Sequence, residues 1–204
     1  MKWNSASILD NYLLLLLLSL FLNCNPKKEE ITVRIPKRVP SIYTIASDVG
    51  FHFNQDTLYL NTKKYSGKQY ILYPNKDTVF VKSYLDGMLE GVQKQWYPNG
   101  VLVEKRLYIS NKKEGKHQGW WENGKPKYSY QFYNDDFHGE VLEWYFTGQL
   151  FKKFHYQNGH EEGSERLWYE NGNVRANYVI KKGKKYGLIG IKLCKNPNET
   201  VTKN

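Results

Sequence analysis

The sequence predicts an all-β fold, an elongated antiparallel β-meander, on the strength of three observations. A five-residue motif, Trp96-Tyr97-Pro98-Asn99-Gly100 in its first complete form, returns at intervals of 24 residues. A separate series of glycines keeps the same interval from Gly67 to Gly187, and a constant period of this size is typical of repeat proteins. The chain also holds 17 Tyr, 9 Phe and 6 Trp in 204 residues, and aromatic residues favour the half-buried surface of a sheet.

The composition bounds the size and the charge of the domain. With 204 residues, 40% of them hydrophobic, the chain is long enough for one ordinary domain. Its formal net charge of +10 favours acidic partners such as nucleic acid, anionic lipid head groups or acidic polysaccharide. The alternative is a charged surface that only keeps the protein soluble.

The first segment, residues 1–23, is predicted to be a secretory signal peptide. Leu13 to Leu22 is apolar except for Ser19, and Lys2 lies upstream. This ten-residue run is too short to cross a bilayer, which takes about 20 residues. An apolar run of this length after a cation is typical of an export signal.

The apolar run ends at Leu22-Asn23-Cys24, which resembles the lipobox of bacterial lipoproteins. The resemblance implies that Cys24 is acylated. The protein would then be exported and anchored in the bacterial cell envelope, at the outer membrane or the periplasmic face. An ordinary leader is the alternative. With Cys24 acylated, Cys194 has no intramolecular partner, so we expect no disulfide framework.

Two segments separate this anchor from the repeats. Residues 24–42 contain Pro26, Pro36 and Pro40, and because prolines keep a chain extended, we predict a tether. Residues 43–66 include two strand-like stretches, residues 51–53 and 58–60. We predict a degenerate N-terminal capping repeat there, since terminal repeats are typically atypical.

The repeat domain is predicted to cover residues 67–190, followed by a C-terminal tail, 191–204. In one copy, Gln93 to Tyr97 and Leu102 to Tyr108 are predicted strands. Asn99-Gly100 between them is predicted to be a two-residue type I′ turn, the strongest short hairpin signal. A looser polar loop, Ser110 to Gly115, is expected to lead into the next copy. The glycines expected at the repeat turns are Gly91, Gly100, Gly115, Gly124, Gly139, Gly148, Gly163, Gly172 and Gly187.

Side-chain alternation then predicts two faces. A two-residue turn places Tyr97 opposite Leu102, Tyr145 opposite Leu150 and Tyr169 opposite Val174. This face is expected to form the core, together with Tyr108, Phe132, Tyr156 and Ile180.

The tryptophans are then expected on the other face, opposite Val103, Lys127, Phe151 and Arg175. We interpret this aromatic and cationic ladder as a candidate recognition surface, because large aromatic residues and Arg dominate binding hot spots. The alternative is that the indoles lie flat over neighbouring strands and serve stability alone. The candidate recognition residues are Trp96, Trp120, Trp144, Trp168, Lys127 and Arg175.

The repeated pattern, G-x4-W-Y-x-N-G-x-L followed by an aromatic residue and N/D-G-x3-G, resembles the MORN repeat in the variant of bacterial YwqK-type antitoxin components. The resemblance covers residues 67 to 190. The first copy departs from it, with Leu72 for Trp and Lys76 for the turn Gly. It implies a β-hairpin meander used to bind proteins or membrane surfaces. An antitoxin or immunity-type inhibitor remains the alternative function.

No motif predicts catalysis or a cofactor, so we expect a non-enzymatic protein. The nearest approach to a metal site is formed by two polar loops, residues 135–138 and 160–162, but their spacing lacks a tight ligand pattern, and no metal is predicted. The basic run Lys181 to Lys185 is interpreted as a solvated loop. We therefore expect neither nucleic acid nor a small-molecule substrate, but another protein or an anionic membrane surface as the partner.

Overall fold

The computed structural model describes residues 34–190, and this part of the chain is all-β, which confirms the predicted fold class. Seventeen strands form a 14-stranded sheet and a small three-stranded sheet, β2-β3-β4. The strands of the first half are β1 (Tyr43–Ile45), β2 (Phe51–Asn54), β3 (Thr57–Leu60), β4 (Lys63–Lys64), β5 (Gly67–Leu72), β6 (Thr78–Leu85), β7 (Met88–Leu89), β8 (Gly91–Trp96) and β9 (Leu102–Ile109). The strands of the second half are β10 (Lys112–Trp120), β11 (Pro126–Tyr133), β12 (Asp136–Trp144), β13 (Leu150–Gln157), β14 (His160–Glu161), β15 (Gly163–Trp168), β16 (Val174–Lys181) and β17 (Lys184–Leu188).

The large sheet is a meander of hairpins. From β5 to β17 its main strands pair in chain order and antiparallel, in the order β5-β6-β8-β9-β10-β11-β12-β13-β15-β16-β17. The five hairpins share one register: the last residue of the first strand pairs with the first residue of the second, as Trp96 does with Leu102. The equivalent pairs are Leu72 with Thr78, Trp120 with Pro126, Trp144 with Leu150 and Trp168 with Val174.

The turn inside each hairpin differs from the predicted two-residue type I′ turn. Gly100 N–H donates to the Tyr97 carbonyl over 2.9 Å, and Tyr97 N–H donates to the Val101 carbonyl over 2.8 Å. Gly100 has a φ of 80°, whereas Asn99 is not among the residues with positive φ. This is a type I turn followed by a left-handed glycine, the three-residue loop with a bulge.

The extra loop residue shifts the pairing by one position. The predicted pairs Tyr97 with Leu102, Tyr145 with Leu150 and Tyr169 with Val174 are therefore wrong. Each tryptophan takes the place expected for the following aromatic residue.

The type I′ turns lie instead between consecutive hairpins, where a looser loop was expected. Ser110 and Asn111 have φ values of 50° and 67°, and Ile109 pairs with Lys112 across them. Asp86-Gly87, Asn134-Asp135 and Asn158-Gly159, at the other junctions between hairpins, also have positive φ at both residues, as does Lys182-Gly183 before β17. A bulge follows, at which Gly91 adopts a φ of 80° with no atom within 4 Å of an added Cβ. Backbone conformation, not space, therefore requires glycine at this position.

One residue of each hairpin, two positions after the leading glycine, is buried in the sheet. We call this set the buried column, and its members are Gln69, Gln93, His117, Val141 and Glu165. The predicted core residues Phe132 and Ile180 are buried beside it, at 6% and 3% exposure. The main hydrophobic cluster contains Val141, Phe154, Ala176, Tyr178 and Ile180.

The N-terminal part of the described chain covers the first hairpin. Both stretches expected to be strands, residues 51–53 and 58–60, lie in β2 and β3. Leu58, Tyr65 and Tyr84 form a second buried cluster, in which Leu58 N–H donates to the Gly87 carbonyl over 2.8 Å. In contrast to the hairpins, β1 pairs with β5 in parallel.

Residues 34–42, the described end of the predicted tether, contact the sheet. Lys37 N–H donates to the Glu90 carboxylate over 2.6 Å. The Arg34 guanidinium lies 3.5 Å from the Glu114 carboxylate. Glu90 and Glu114 occupy equivalent positions, one residue before Gly91 and Gly115, so this segment follows the ends of two successive hairpins.

Candidate functional site

The four predicted tryptophans, Trp96, Trp120, Trp144 and Trp168, lie at the ends of β8, β10, β12 and β15. All four are half-buried, so each indole has part of its surface in solvent. Their backbone carbonyls are engaged by the preceding hairpin, as the next paragraph describes. The structure thus places these residues in one row along the sheet.

The aromatic residue after each tryptophan joins neighbouring hairpins. The Tyr97 hydroxyl donates to the Trp120 carbonyl over 3.2 Å, and the Tyr145 hydroxyl donates to the Trp168 carbonyl over 3.0 Å. Tyr73 and Trp121 make the same bond to the Trp96 and Trp144 carbonyls, over 2.9 and 3.2 Å. We call these four residues the aromatic ladder. Each rung satisfies a carbonyl at a strand end, which explains why a ring with a polar hydrogen recurs there.

The predicted cations approach the aromatic ladder and its equivalents, not the tryptophans they were expected to face. Lys127 Nζ lies 4.5 Å from the Trp121 ring centroid, and the Arg175 guanidinium lies 5.9 Å from that of Tyr169. The bulged register is the reason, because Pro126 and Val174 now lie opposite Trp120 and Trp168. The expected pairing of the tryptophans with Val103, Lys127, Phe151 and Arg175 is therefore wrong. Trp168 instead receives Arg166, at 5.7 Å.

A pocket of about 390 Å³ opens where the fourth hairpin, β12–β13, meets its neighbours. It is within the range of small-ligand and side-chain sites. Lys127, Glu143 and Glu170 are its charged lining residues. Its aromatic lining includes one of the predicted recognition residues, Trp144, and further consists of Trp121, Tyr128, Tyr130, Tyr145, Phe146 and Phe151.

The rings of this pocket are fixed by contacts with one another and with the backbone. Tyr128 stacks on Tyr130 with centroids 4.5 Å apart, and an added Cβ on Gly119 would lie 2.2 Å from the Tyr128 ring, so only glycine leaves room for it. Tyr145 meets Phe151 edge to face at 5.2 Å. Burial, followed by the charge of Glu143, raises the pKa of Tyr130. Contacts between rings therefore hold the walls of the pocket in place.

The fourth hairpin, β12–β13, departs from the repeat at this pocket. Asn99 and Asn123, at the turn of the two preceding hairpins, accept the N–H two residues later and donate to the next hairpin, at the Glu122 and Phe146 carbonyls. The fourth hairpin has Thr147 there, preceded by Phe146, where the other hairpins have Pro or Glu. The Phe146 side chain is 56% exposed and lies 5.9 Å from the Trp121 ring.

Sequence reasoning missed this pocket, although its signal was present. Phe146-Thr147 interrupts an otherwise regular x-Asn pair at the turn. The sequence predicts Phe151 and Lys127 opposite the tryptophans because the two-residue turn gives the wrong register.

Polar members of the buried column bond the backbone ten residues earlier. The Gln93 amide donates to the Ser83 carbonyl and accepts the Ser83 N–H, while both Glu165 oxygens accept the His155 N–H over 3.3 Å. His117 Nε2 lies 2.7 Å from the Leu107 carbonyl and therefore donates to it. Burial lowers the pKa of His117 to about 4 and raises the pKa of Glu165 to about 7. His117 is therefore neutral near neutral pH, whereas Glu165 is neutral only below about pH 7.

The polar loops considered for a metal are engaged in turns. Asp135 accepts the Lys113 N–H over 2.8 Å, and His138 Nδ1 is buried without a partner among the described residues. Within residues 34–190 there is no group of three or more His, Cys, Asp or Glu side chains placed to hold a metal ion. A larger, polar pocket of about 720 Å³ lies between β2, β6 and the turns at Asn111 and Asp135.

Two further findings bear on the membrane and on the lipid anchor. Over the described residues, no helix is long and apolar enough to cross a membrane. Cys24 and Cys194 both lie outside the described residues, as do the predicted signal peptide and the C-terminal tail.

Comparison with known families identifies the central hairpins. Three segments, residues 89–110, 113–135 and 137–158, match the MORN repeat variant family. They correspond to the hairpins β8–β9, β10–β11 and β12–β13, and the hairpins on either side share their register although they lie outside the matched segments. Repeats of this kind are commonly protein-interaction or membrane-interaction modules. No curated protein matches the chain.

Proposed function

We propose that the protein is a non-enzymatic interaction module, displayed from a bacterial envelope membrane by an acylated Cys24, and that its hairpin ends bind another protein. The observation that carries this proposal is the aromatic pocket with the exposed Phe146 at its rim. Large exposed aromatic residues beside an ordered pocket are typical of binding hot spots. The common use of MORN repeats as interaction modules supports the same conclusion.

The recognition surface in this proposal extends from the pocket along the row of tryptophans. Trp144 lines the pocket, Trp120 directly precedes the lining residue Trp121, and both indoles are half-buried. The rival interpretation, in which the indoles only stabilise the sheet, predicts that their replacement lowers the melting temperature and leaves binding by the folded protein unchanged.

A non-enzymatic role is supported by the burial of the histidine and the glutamate whose pKa values are shifted. His117 and Glu165 are 2% and 0% exposed and bond backbone groups inside the sheet. A general acid or base must reach a substrate. These two groups are placed to stabilise the fold instead.

The binding proposal is tested by cross-linking on membranes of the source organism. We expect the wild-type protein to cross-link to one protein, Phe146→Glu to lose that product, and Glu122→Gln to retain it, with equal melting temperatures. Glu122 is the matched control because it holds the position equivalent to Phe146 in the preceding hairpin. Binding to anionic lipid vesicles in place of a protein, or cross-linking indifferent to Phe146→Glu, would refute the proposal.

The anchor is tested separately by metabolic labelling with a radioactive fatty acid. We expect label on the wild type and on Cys194→Ser, none on Cys24→Ser, and release of Cys24→Ser from the membrane fraction. Equal labelling of Cys24→Ser would rule out acylation at this residue.

The alternative function, an antitoxin or immunity-type inhibitor, makes a different prediction for the cross-linked partner. A toxin encoded beside this protein, inhibited in a one-to-one complex, would replace the display function. The same cross-linking experiment separates the two, because the partner is identified by its own toxicity when expressed alone.

A further inference from the structure

We infer that the aromatic pocket of the fourth hairpin receives an arginine side chain of the partner protein. This inference rests on the proposed function, since it names the chemistry that the same surface recognises. Ring faces attract cations through their quadrupole, and a guanidinium also stacks flat on a ring.

The pocket already demonstrates that its rings accept a cation. Lys127 Nζ lies 4.5 Å from the Trp121 centroid, inside the distance at which a cation and a ring attract each other. A ligand cation entering the pocket therefore meets a ring arrangement that suits its charge, and it competes with Lys127 for the Trp121 face.

One carboxylate of the pocket is left to meet a positive ligand. Glu143 and Glu170 are carboxylates, and Lys127 is the one cation among the described lining residues. Glu143 is already paired with Lys152 at 3.2 Å, outside the lining, so Glu170 is the carboxylate that remains. Glu170 is exposed at the rim and free to meet an incoming cation at the surface.

The ring pairs that line the pocket suit a side chain with an apolar stem and a planar charged group. The stacked pair Tyr128 and Tyr130 forms one wall, and Phe146 and Trp121 meet edge to face at another, 5.9 Å apart. Arginine places three methylenes against such rings and a planar group near a carboxylate, which a compact ammonium does less well.

The repeat itself indicates that this position is specialised. The two preceding hairpins keep an Asn at the turn that bonds the following hairpin, whereas the fourth hairpin has Thr147 at this position and exposes Phe146. Departures from a regular pattern in an otherwise consistent fold are expected at functional sites.

The test is a titration of the folded protein with N-acetyl-arginine methylamide, followed by the NMR signal of the Trp121 indole N–H. The neutral isostere N-acetyl-citrulline methylamide and the lysine analogue are the comparison probes. We expect the arginine probe to bind at least about fivefold more tightly than the citrulline probe, a ratio typical of a cation–ring contact. We also expect it to bind more tightly than the lysine probe. Equal binding of arginine and citrulline, or tighter binding of lysine, would overturn the inference.

Three variants are expected to weaken, strengthen and leave unchanged the binding of the arginine probe. Glu170→Gln should weaken arginine binding about threefold by removing an exposed carboxylate, and Lys127→Met should strengthen it by a similar factor because the competing cation is gone. Glu122→Gln, the equivalent of Glu170 two hairpins earlier, should leave it unchanged. A Lys127→Met variant that binds more weakly would contradict the inference.

The outcome is distinguishable from failure of the proposed function. If the cross-linked partner depends on Phe146 but the arginine probe fails to shift Trp121, a protein-binding surface remains and the arginine inference is wrong. If arginine binds but no protein is captured, the pocket chemistry stands and the display function is wrong.

Discussion

The aromatic ladder and the buried column repeat at the same 24-residue interval, yet they tolerate substitution very differently. The ladder residues Tyr73, Tyr97, Trp121 and Tyr145 are all rings with a polar hydrogen, since each must reach a backbone carbonyl of the next hairpin. The column changes from Gln to His, Val and Glu across the five hairpins, although its polar members also bond the neighbouring, preceding hairpin. The ladder must always donate to a carbonyl and therefore keeps a ring with a polar hydrogen, whereas the column accepts any side chain that satisfies or avoids the local backbone.

The largest test of this comparison is Glu165→Gln, which gives the last hairpin the residue that Gln93 provides. Burial raises the pKa of Glu165 from 4.5 to about 7, so the folded state holds a proton that the unfolded chain releases. Stability from this residue is therefore complete below pH 4.5 and is lost as the pH rises through 7. We expect the variant to be more stable by up to about 3 kcal/mol at pH 8 and unchanged at pH 4, measured by urea unfolding.

The reciprocal variant, Gln93→Glu, is its matched control. It should lose stability at pH 8 and recover part of it at pH 4, because a protonated carboxyl both donates and accepts, as the amide does. A Gln93→Glu variant with the same stability at both pH values would show that the column does not penalise charge.

The second test uses His117, whose pKa is lowered to about 4 by burial. Its neutral form is favoured in the folded state, so this residue stabilises the fold above pH 6.5 and the contribution is lost as the pH falls toward 4. Between pH 4.5 and 6.5 it therefore opposes Glu165. The wild type should lose up to about 3 kcal/mol of stability through this residue as the pH falls from 6.5 to 4. We expect His117→Gln to abolish this loss, as measured by urea unfolding at pH values from about 4 to 8. If the variant loses the same stability at low pH as the wild type, the loss arises from other titratable groups.

The repeat period, the hairpins and the all-β class could be predicted from the sequence because the 24-residue pattern is a direct consequence of the meander. The turn type was wrong although the information was present. Pro98 suits the second position of a type I turn and Gly100 the fourth, whereas Asn-Gly alone was given more weight as a type I′ signal. Because the register is shifted by one residue, Lys127 and Arg175 lie over the rings of Trp121 and Tyr169 and not over the preceding tryptophans.

The rest of the candidate site depends on contacts between repeats that no spacing reveals. Gly119 provides the room for the Tyr128 ring, and the ladder bonds join residues 23 apart through a hydroxyl and a carbonyl. Periodicity shows that Tyr97 and Tyr145 are equivalent. It does not show which atom of the next hairpin each one touches.

The third test removes one rung of the ladder. Tyr145→Phe keeps the ring against Phe151 but removes the hydroxyl that donates to the Trp168 carbonyl over 3.0 Å. We expect a loss of about 1 kcal/mol, the usual value of one hydrogen bond, in urea unfolding. Tyr186→Phe is the control, because its side chain is 55% exposed and the change should have almost no effect. Equal losses of unfolding free energy in the two variants would show that the hydrogen bond from Tyr145 does not stabilise the fold.

The smallest effect is expected from Thr147→Asn, which restores the turn residue of the preceding hairpins. Asn123 accepts the Lys125 N–H over 3.0 Å and donates to the Phe146 carbonyl over 3.1 Å, and an Asn at 147 is placed to make the same two bonds to Gln149 N–H and the Glu170 carbonyl. The side chain is exposed, so we expect a gain of only about 0.5 to 1 kcal/mol, measured as a rise in melting temperature. Asn123→Thr should lose the same amount. Because Phe146 is unchanged in Thr147→Asn, binding of the arginine probe should persist. A Thr147→Asn variant that is more stable but no longer binds the arginine probe would show that Thr147 itself shapes the pocket. The less stable turn would then be required for binding.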